Sequence, residues 1–317
     1  MTEFVTIPSE GWTLHGIVHL PKPVARERFG VVLLHENINT KFGTHRLYRQ
    51  LAEALADAGF YALRYDNRGT NDSPGLCHLS FPHRVADARA AIAFFRSRYQ
   101  LAKLTGWGLC MGAAVAVHSV SAALVAEEKL DGLILCNILA HPADASLPQF
   151  GYHKVDLPSL AREMLLDGNL LRKLWYAPRK LNIYRRSLPR LANVLMTRYR
   201  DRGPELDQLR AAIGQVGGLL ARYPGPCLMI FGEKDNYRTS FFERVNLRDR
   251  LGLARKKNPP AWATVKGGDH TFASAEQTQE MIRYTLEWLK SFREGLVSSS
   301  GSLSGEDRGI SAAQVAN

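Results

Sequence analysis

Apolar and polar residues alternate over residues 4–7 and again over 12–20, on either side of Ser9-Glu10-Gly11. A period of two interrupted by a Gly-containing turn predicts an antiparallel hairpin. The rhythm then changes. Residues 30–35 (GVVLLH) form a short unbroken apolar run, the pattern of a strand buried on both faces. Residues 46–58 place Leu47, Leu51 and Leu55 on one helical face, and Gly59 follows as a stop. Strand character returns over 60–66, helix over 83–99, strand over 101–107, helix over 111–127 and strand over 130–137. Strands alternating with helices of this length specify a mostly parallel sheet with helices on both faces.

The alternation stops near residue 141. From there to 222 the pattern is helical, over 157–166, 170–175, 188–197 and 206–220, punctuated by Pro178, Pro189 and Pro204. Strand character resumes over 226–231 and 262–265, and a long amphipathic helix over 275–293 ends the periodic sequence. The chain therefore divides into a first core part (1–140), a helical cap (141–222), a second core part (223–295) and a Ser/Gly-rich tail (296–317) expected to be disordered. A helical insertion in such a frame is expected to lie over an active site and control access to it.

Composition narrows the class. The 317 residues are 45% hydrophobic and 22% charged, as in a globular protein. No basic segment followed by an apolar run opens the chain, and no apolar run reaches the roughly 18–20 residues that span a bilayer. Neither a signal peptide nor an integral membrane segment is expected. The four cysteines, at 77, 110, 136 and 227, form no CxxC pair. That argues against a metal site or a redox motif, and it suits a reducing cytoplasm. Cys136 and Cys227 sit in strand-like runs and read as packing residues. The net charge is +11, and residues 152–222 hold 14 Lys or Arg against 6 Asp or Glu, an excess of +8. The cap therefore reads either as a solvated basic face or as a docking face for an acyl carrier protein, a CoA thioester or anionic lipid headgroups. Nothing matches a nucleic-acid-binding module.

The chemistry centres on Gly108-Leu109-Cys110-Met111-Gly112, which falls between a strand and a helix. Gly-x-Cys-x-Gly matches the nucleophile elbow Gly-x-Ser-x-Gly with cysteine replacing serine. On that turn the nucleophile holds a strained backbone, and side chains two residues to either side would collide with it. The turn also places the sulfur at a helix N-terminus, which favours thiolate. The Met111 N–H becomes one oxyanion-hole donor. Downstream, two loops supply partners in the order acid then His. His270, in Gly267-Gly268-Asp269-His270, is the candidate base. Asp235, in Gly232-Glu233-Lys234-Asp235, is the candidate orienter of its imidazole, with Glu233 as competitor. Asp269 reads as a loop cap. In the loop after the first parallel strand, the Asn37 N–H is the candidate second oxyanion donor. Glu36 is either a solvated loop carboxylate or a thiol activator. No cofactor or metal is expected.

These residues resemble two groups within the α/β-hydrolase superfamily. His35-Glu36-Asn37 together with Gly108-x-Cys110-x-Gly112 resembles the dienelactone hydrolase family. That resemblance implies a Cys–His–Asp triad that opens a lactone, with a glutamate at the place of Glu36 helping to activate the cysteine. A longer set, Gly43-Thr44-His45-Arg46, Ala58-Gly59-Phe60, Arg64-Tyr65-Asp66-Asn67-Arg68-Gly69, Asp72-Ser73 and Gly108-Leu109-Cys110, resembles the exosortase A system-associated hydrolases. Those are similar to serine aminopeptidase S33-like hydrolases but carry cysteine at the elbow. Gly268-Asp269-His270-Thr271-Phe272 is also S33-like. The match covers about residues 5–137 and 226–290 and stops at the cap. Met111 stands where the second group often has an acid, and Asn71 where a glycine is usual. Arg68 reads as structural rather than substrate-binding.

The resemblance implies an α/β-hydrolase fold with a helical cap, and a hydrolase of an ester, thioester or lactone acting on a small acyl substrate through an S-acyl intermediate. An acyltransferase would use the same intermediate if water were excluded. A binding protein with a degenerate site would have the fold without the chemistry.

Overall fold

A computed structural model of the chain describes residues 1–296 except 23–26, 36–39, 76–79, 123–124, 146–202 and 247–248. Most of the cap, the tail from 297, and the positions of Glu36 and Asn37 lie outside the described residues.

The hairpin is present as β1 (Thr2–Ser9) and β2 (Trp12–His19), paired antiparallel from Thr2↔His19 to Ser9↔Trp12. Six further strands follow: β3 (Phe29–Leu34), β4 (Tyr61–Tyr65), β5 (Lys103–Leu109), β6 (Gly132–Cys136), β7 (Cys227–Gly232) and β8 (Ala261–Val265). These eight make one sheet in the order β1-β2-β4-β3-β5-β6-β7-β8, with every pair from β4 to β8 parallel. β3, β6 and β7 are buried along their whole length, which is why they read as unbroken apolar runs rather than alternating ones.

Helix α1 (Leu47–Asp57) buries Leu47, Leu51 and Leu55 on its apolar stripe. It shares one face of the sheet with α6 (Ala275–Arg293), whose bounds match the periodicity. The other face carries α2 (Phe81–Tyr99), α3 (Met111–Ala122) and α4 (Gly203–Arg222). Helix α4 is the last segment assigned to the cap, and it packs on α3. Two elements depart from the sequence reading. The helix expected over 111–127 ends at Ala122, and Ala126–Glu128 is a separate 3-10 turn. Arg89 of α2 donates two hydrogen bonds to Glu128, at 2.8 and 2.7 Å, and fixes that turn away from the helical path. A short helix not foreseen, α5 (Asn236–Ser240), runs on into a π-helical turn, Phe241–Val245.

The loop after β4 is tied down by ion pairs. Arg68 is buried and donates to Asp87 of α2 at 2.6 and 2.8 Å, to Ser9 at 3.1 Å and to Glu10 at 3.0 Å. It thus joins the hairpin turn, the β4 loop and α2, the structural role read from the sequence. Asn71 has φ 46, the left-handed region that glycine adopts at least cost, and Asn among the other residues tolerates it best. Its side chain donates to Asp66 at 3.0 Å. The departure from glycine thus leaves the turn intact.

The strand order reverses between β3 and β5, whose carboxyl ends align through Leu34↔Gly108. In open α/β sheets, sites form at such switch points beyond the carboxyl ends of the strands.

Candidate active site

Cys110 sits on the turn between β5 and α3 with φ 56 and is buried, 9% exposed. A left-handed conformation at a non-glycine residue costs of order 1–3 kcal/mol and persists only where its surroundings hold it. Here they do. The Cys110 N–H donates to the Cys136 carbonyl at 2.9 Å, and the Cys110 carbonyl accepts from Leu139 N–H at 3.3 Å and Ala114 N–H at 3.4 Å. The two flanking glycines are required by space. A Cβ on Gly108 would lie 2.5 Å from the Ala113 nitrogen, and one on Gly112 would lie 2.0 Å from the Leu34 carbonyl oxygen. The second contact matters most, because it presses the elbow against the end of β3, before the loop that carries the candidate oxyanion donor. Gly112→Ala is expected to cost about 1–3 kcal/mol by overpacking. A shift of about 1 Å at the β3 end would cost on the order of 10²-fold in turnover. Thermal denaturation and steady-state kinetics check both.

The candidate acid and the candidate base lie beyond the ends of β7 and β8. Asp235 is 5% exposed and caps α5, its Oδ1 accepting from Tyr237 N–H at 3.1 Å. Its Oδ2 accepts from His270 Nδ1–H at 2.9 Å. That bond puts the ring proton on Nδ1 and leaves Nε2 open to another partner. Glu233, the competitor, accepts from Gly267 N–H at 2.7 Å, in the loop before His270. Asp269 accepts from Thr271 N–H at 2.9 Å and Ala273 N–H at 3.1 Å, the loop-capping role expected of it.

His270 and Tyr237 both lie within electrostatic reach of Cys110. Burial alone would push the His270 imidazole down. The charge on Cys110, the hydrogen bonds of His270 to Asp235 and Cys110, and the Asp235 charge outweigh burial and lift it to about 11.

Two residues near this centre were not singled out in the sequence. Asn137, fully buried with φ 42, directly follows β6. Its Nδ2 donates to the carbonyls of His270 at 2.9 Å and Asp269 at 3.3 Å, and its Oδ1 accepts from Gly232 N–H at 2.8 Å. One side chain thereby spaces the loop bearing Asp235 from the loop bearing His270. Tyr237 packs its ring edge-on against His270, with centroids 4.7 Å apart and planes at 87°. A polar residue directly after a buried strand was the only sequence signal for Asn137, and Tyr237 had none beyond lying two residues after Asp235.

Met111 opens α3 directly after Cys110, the position its amide needs as an oxyanion donor. His35, at the start of the loop carrying Glu36 and Asn37, is buried, and its Nε2 lies 2.9 Å from the Tyr65 carbonyl. On the rim, His45 Nε2 lies 3.5 Å from Thr271 Oγ1, and both His45 and Arg46 have positive φ. No described helix is long and apolar enough to cross a membrane.

A strand–turn–helix elbow at the sheet's switch point, with the loops bearing Asp235 and His270 after the last two strands, is the arrangement of the α/β-hydrolase fold. Within that class, the family whose model matches the chain is that of serine aminopeptidase, S33, over residues 38–189. Solved structures of the same fold cover nearly the whole chain. Esterase Pf2001 from Pyrococcus furiosus superposes with a TM-score of 0.59 at 15% identity, over 92% of this chain and 92% of that one. Est1E from Butyrivibrio proteoclasticus gives 0.56 at 14%, over 90% and 99%. Dienelactone hydrolase from Anabaena variabilis gives 0.55 at 12%, over 92% and 97%. No curated protein matches the chain in sequence.

Proposed function

We propose that the chain hydrolyses a carboxylic ester, thioester or lactone through a Cys110–His270–Asp235 triad and an S-acyl intermediate. The observation that carries this reading is the Asp235–His270 pair at 2.9 Å beside a cysteine held left-handed at an elbow. In the first step His270 Nε2 takes the thiol proton. The sulfur adds to the acyl carbon, with the resulting oxyanion facing the Met111 amide and, in this reading, the Asn37 amide. Collapse breaks the bond to the leaving group, which takes the proton from His270. Water then gives a proton to His270 and adds to the thioester. The C–S bond breaks, the acid departs and the thiol is restored. Glu36 enters as a thiol activator only by analogy with dienelactone hydrolases.

The names of the structural neighbours, an esterase and a dienelactone hydrolase among them, support ester and lactone substrates, and Est1E has been solved with ferulic acid bound. The basic cap adds an acyl carrier protein or CoA thioester as a candidate donor, and most of that segment lies outside the described residues.

The test is the intact mass of the protein during incubation with a p-nitrophenyl ester and with an acyl-CoA. A Cys110 adduct cleared by water is expected. An adduct released only by an added alcohol or amine would make the chain an acyltransferase. Turnover with no adduct at Cys110, undiminished in Cys110→Ala, would end the proposal.

A further inference from the structure

The loops bearing Cys110, Asp235 and His270 follow three different strands, β5, β7 and β8, and the turn after β6 is bonded to all of them. Asn137 makes that turn. Its φ of 42 is left-handed, as is the 56 of Cys110. The bend lets Cys136 and Leu139, on either side of it, bracket Cys110. The Cys136 carbonyl accepts from Cys110 N–H at 2.9 Å, and Leu139 N–H donates to the Cys110 carbonyl at 3.3 Å. The Asn137 side chain serves the other two loops. Nδ2 donates to the carbonyls of His270 at 2.9 Å and Asp269 at 3.3 Å, and Oδ1 accepts from Gly232 N–H at 2.8 Å, three residues before Asp235. The amide can be turned in no other way, because carbonyls only accept and an N–H only donates. Both Nδ2 protons are used, and the residue is 0% exposed, so solvent does not reach these bonds.

We propose that Asn137 is a positioning residue of this centre: its buried amide holds the main chain at His270 against the turn that holds Cys110, and so sets how the imidazole approaches the sulfur. The proposal rests on the reading of Cys110, His270 and Asp235 as a triad. Asp235 orients the ring by binding Nδ1 at 2.9 Å. A hydrogen bond at one ring nitrogen leaves the loop free to swing about it. Asn137 supplies a second point of attachment on the same residue, through the His270 carbonyl. One bond on the side chain and one on the main chain together define where Nε2 stands. The residue type fits both demands on position 137. Asparagine is among the non-glycine residues that best tolerate a left-handed φ, and its amide carries two donors and an acceptor. Glycine would make the turn and hold nothing. Aspartate would accept from Gly232 and offer the carbonyls of His270 and Asp269 a carboxylate oxygen.

The experiment compares Asn137→Gly and Asn137→Asp with wild type in p-nitrophenyl ester hydrolysis at pH 8, with kcat referred to the folded fraction measured by circular dichroism. Glycine takes the left-handed turn freely, so the bonds to Cys110 are kept and only the side chain is lost. Its kcat per folded chain is expected to fall by about 10²-fold, the cost of misplacing a catalytic group by about 1 Å, with KM within a few-fold of wild type. Asn137→Asp keeps the size and the acceptor and loses the amide donors. Its kcat is expected to fall likewise, and it decides the matter if the glycine variant does not fold. A role in stability alone would lower the melting temperature and leave kcat per folded chain unchanged, and that result would overturn the proposal. A raised KM with kcat held would overturn it too, by placing Asn137 in substrate binding. Failure of the triad reading has a different signature: Cys110→Ala would then turn over the ester as fast as wild type, whatever the variants at 137 do.

Discussion

Cys110→Ala is expected to lower ester and thioester turnover by at least about 10³-fold, the scale on which removing a nucleophile acts. Its melting temperature is expected to stay within a few degrees of wild type. The two expectations go together because the turn is held by its backbone. The left-handed φ of 56 is fixed by the bonds to Cys136, Leu139 and Ala114, all made by main-chain atoms of residue 110. Alanine makes the same bonds and carries the same Cβ, so only the sulfur is lost. Cys110→Ser keeps a potential nucleophile and is expected to fall sharply too, because an alcohol is ionised far less readily than a thiol.

The same variant has a second signature. In the wild-type fold the His270 imidazole is raised from 6.5 to about 11, and the charge on Cys110 does most to raise it. A raised histidine contributes stability that is complete below its unfolded value and lost as pH climbs through the folded one. For His270 that window runs from about 6.5 to about 11. Without the sulfur the imidazole is expected to titrate lower, and the window should narrow from its upper end. An NMR titration of the His270 ring in both proteins reads this directly. An unchanged curve would mean that Cys110 and His270 do not face each other.

Much of this site was legible before the fold. The elbow was legible because its requirements are local: two glycines at fixed spacing, a strand before and a helix after. The buried strands were legible because a strand covered on both faces must be apolar throughout. Pattern favoured Asp235 over Glu233 by its Gly-x-x-Asp turn, but both follow β7 within three residues and spacing alone leaves the competitor open. The structure separates them by what each carboxylate meets. Asp235 caps α5 and turns its second oxygen to His270, whereas Glu233 binds the backbone at Gly267. Asn137 and Tyr237 were illegible for a related reason. Asn137 bonds residues 95 and more positions away in sequence, and that spacing exists only once β6 lies beside β7. Helix α5 has five residues, too few for a periodic stripe, and its one sequence mark, the capping Asp235, had already been assigned to catalysis. The helix at 111–127 was overextended because apolar period alone does not register Arg89 gripping Glu128.

Asp235→Asn is expected to lower turnover by about 10³–10⁴-fold with little loss of stability, the effect known for an amide in the orienting position of a triad. The carboxylate does two separable things here. Its Oδ1 accepts from Tyr237 N–H, which an asparagine carbonyl can also do. Its Oδ2 accepts from His270 Nδ1–H, where the asparagine would present an N–H instead. The imidazole must then turn an unprotonated Nδ1 to the amide and carry its proton on Nε2, the atom that has to take the thiol proton. Cap kept and base lost is the signature of Asp235→Asn. Asp235→Ala loses both, and the missing cap is expected to cost about 1 kcal/mol more in denaturant unfolding. Glu233→Gln supplies the contrast. Its carboxylate binds a backbone N–H at the exposed Gly267 end of the loop, and a glutamine oxygen can replace it. Turnover in Glu233→Gln is therefore expected within a few-fold of wild type. If Glu233→Gln were the crippled variant and Asp235→Asn the active one, the acid of the triad would have to be reassigned to Glu233.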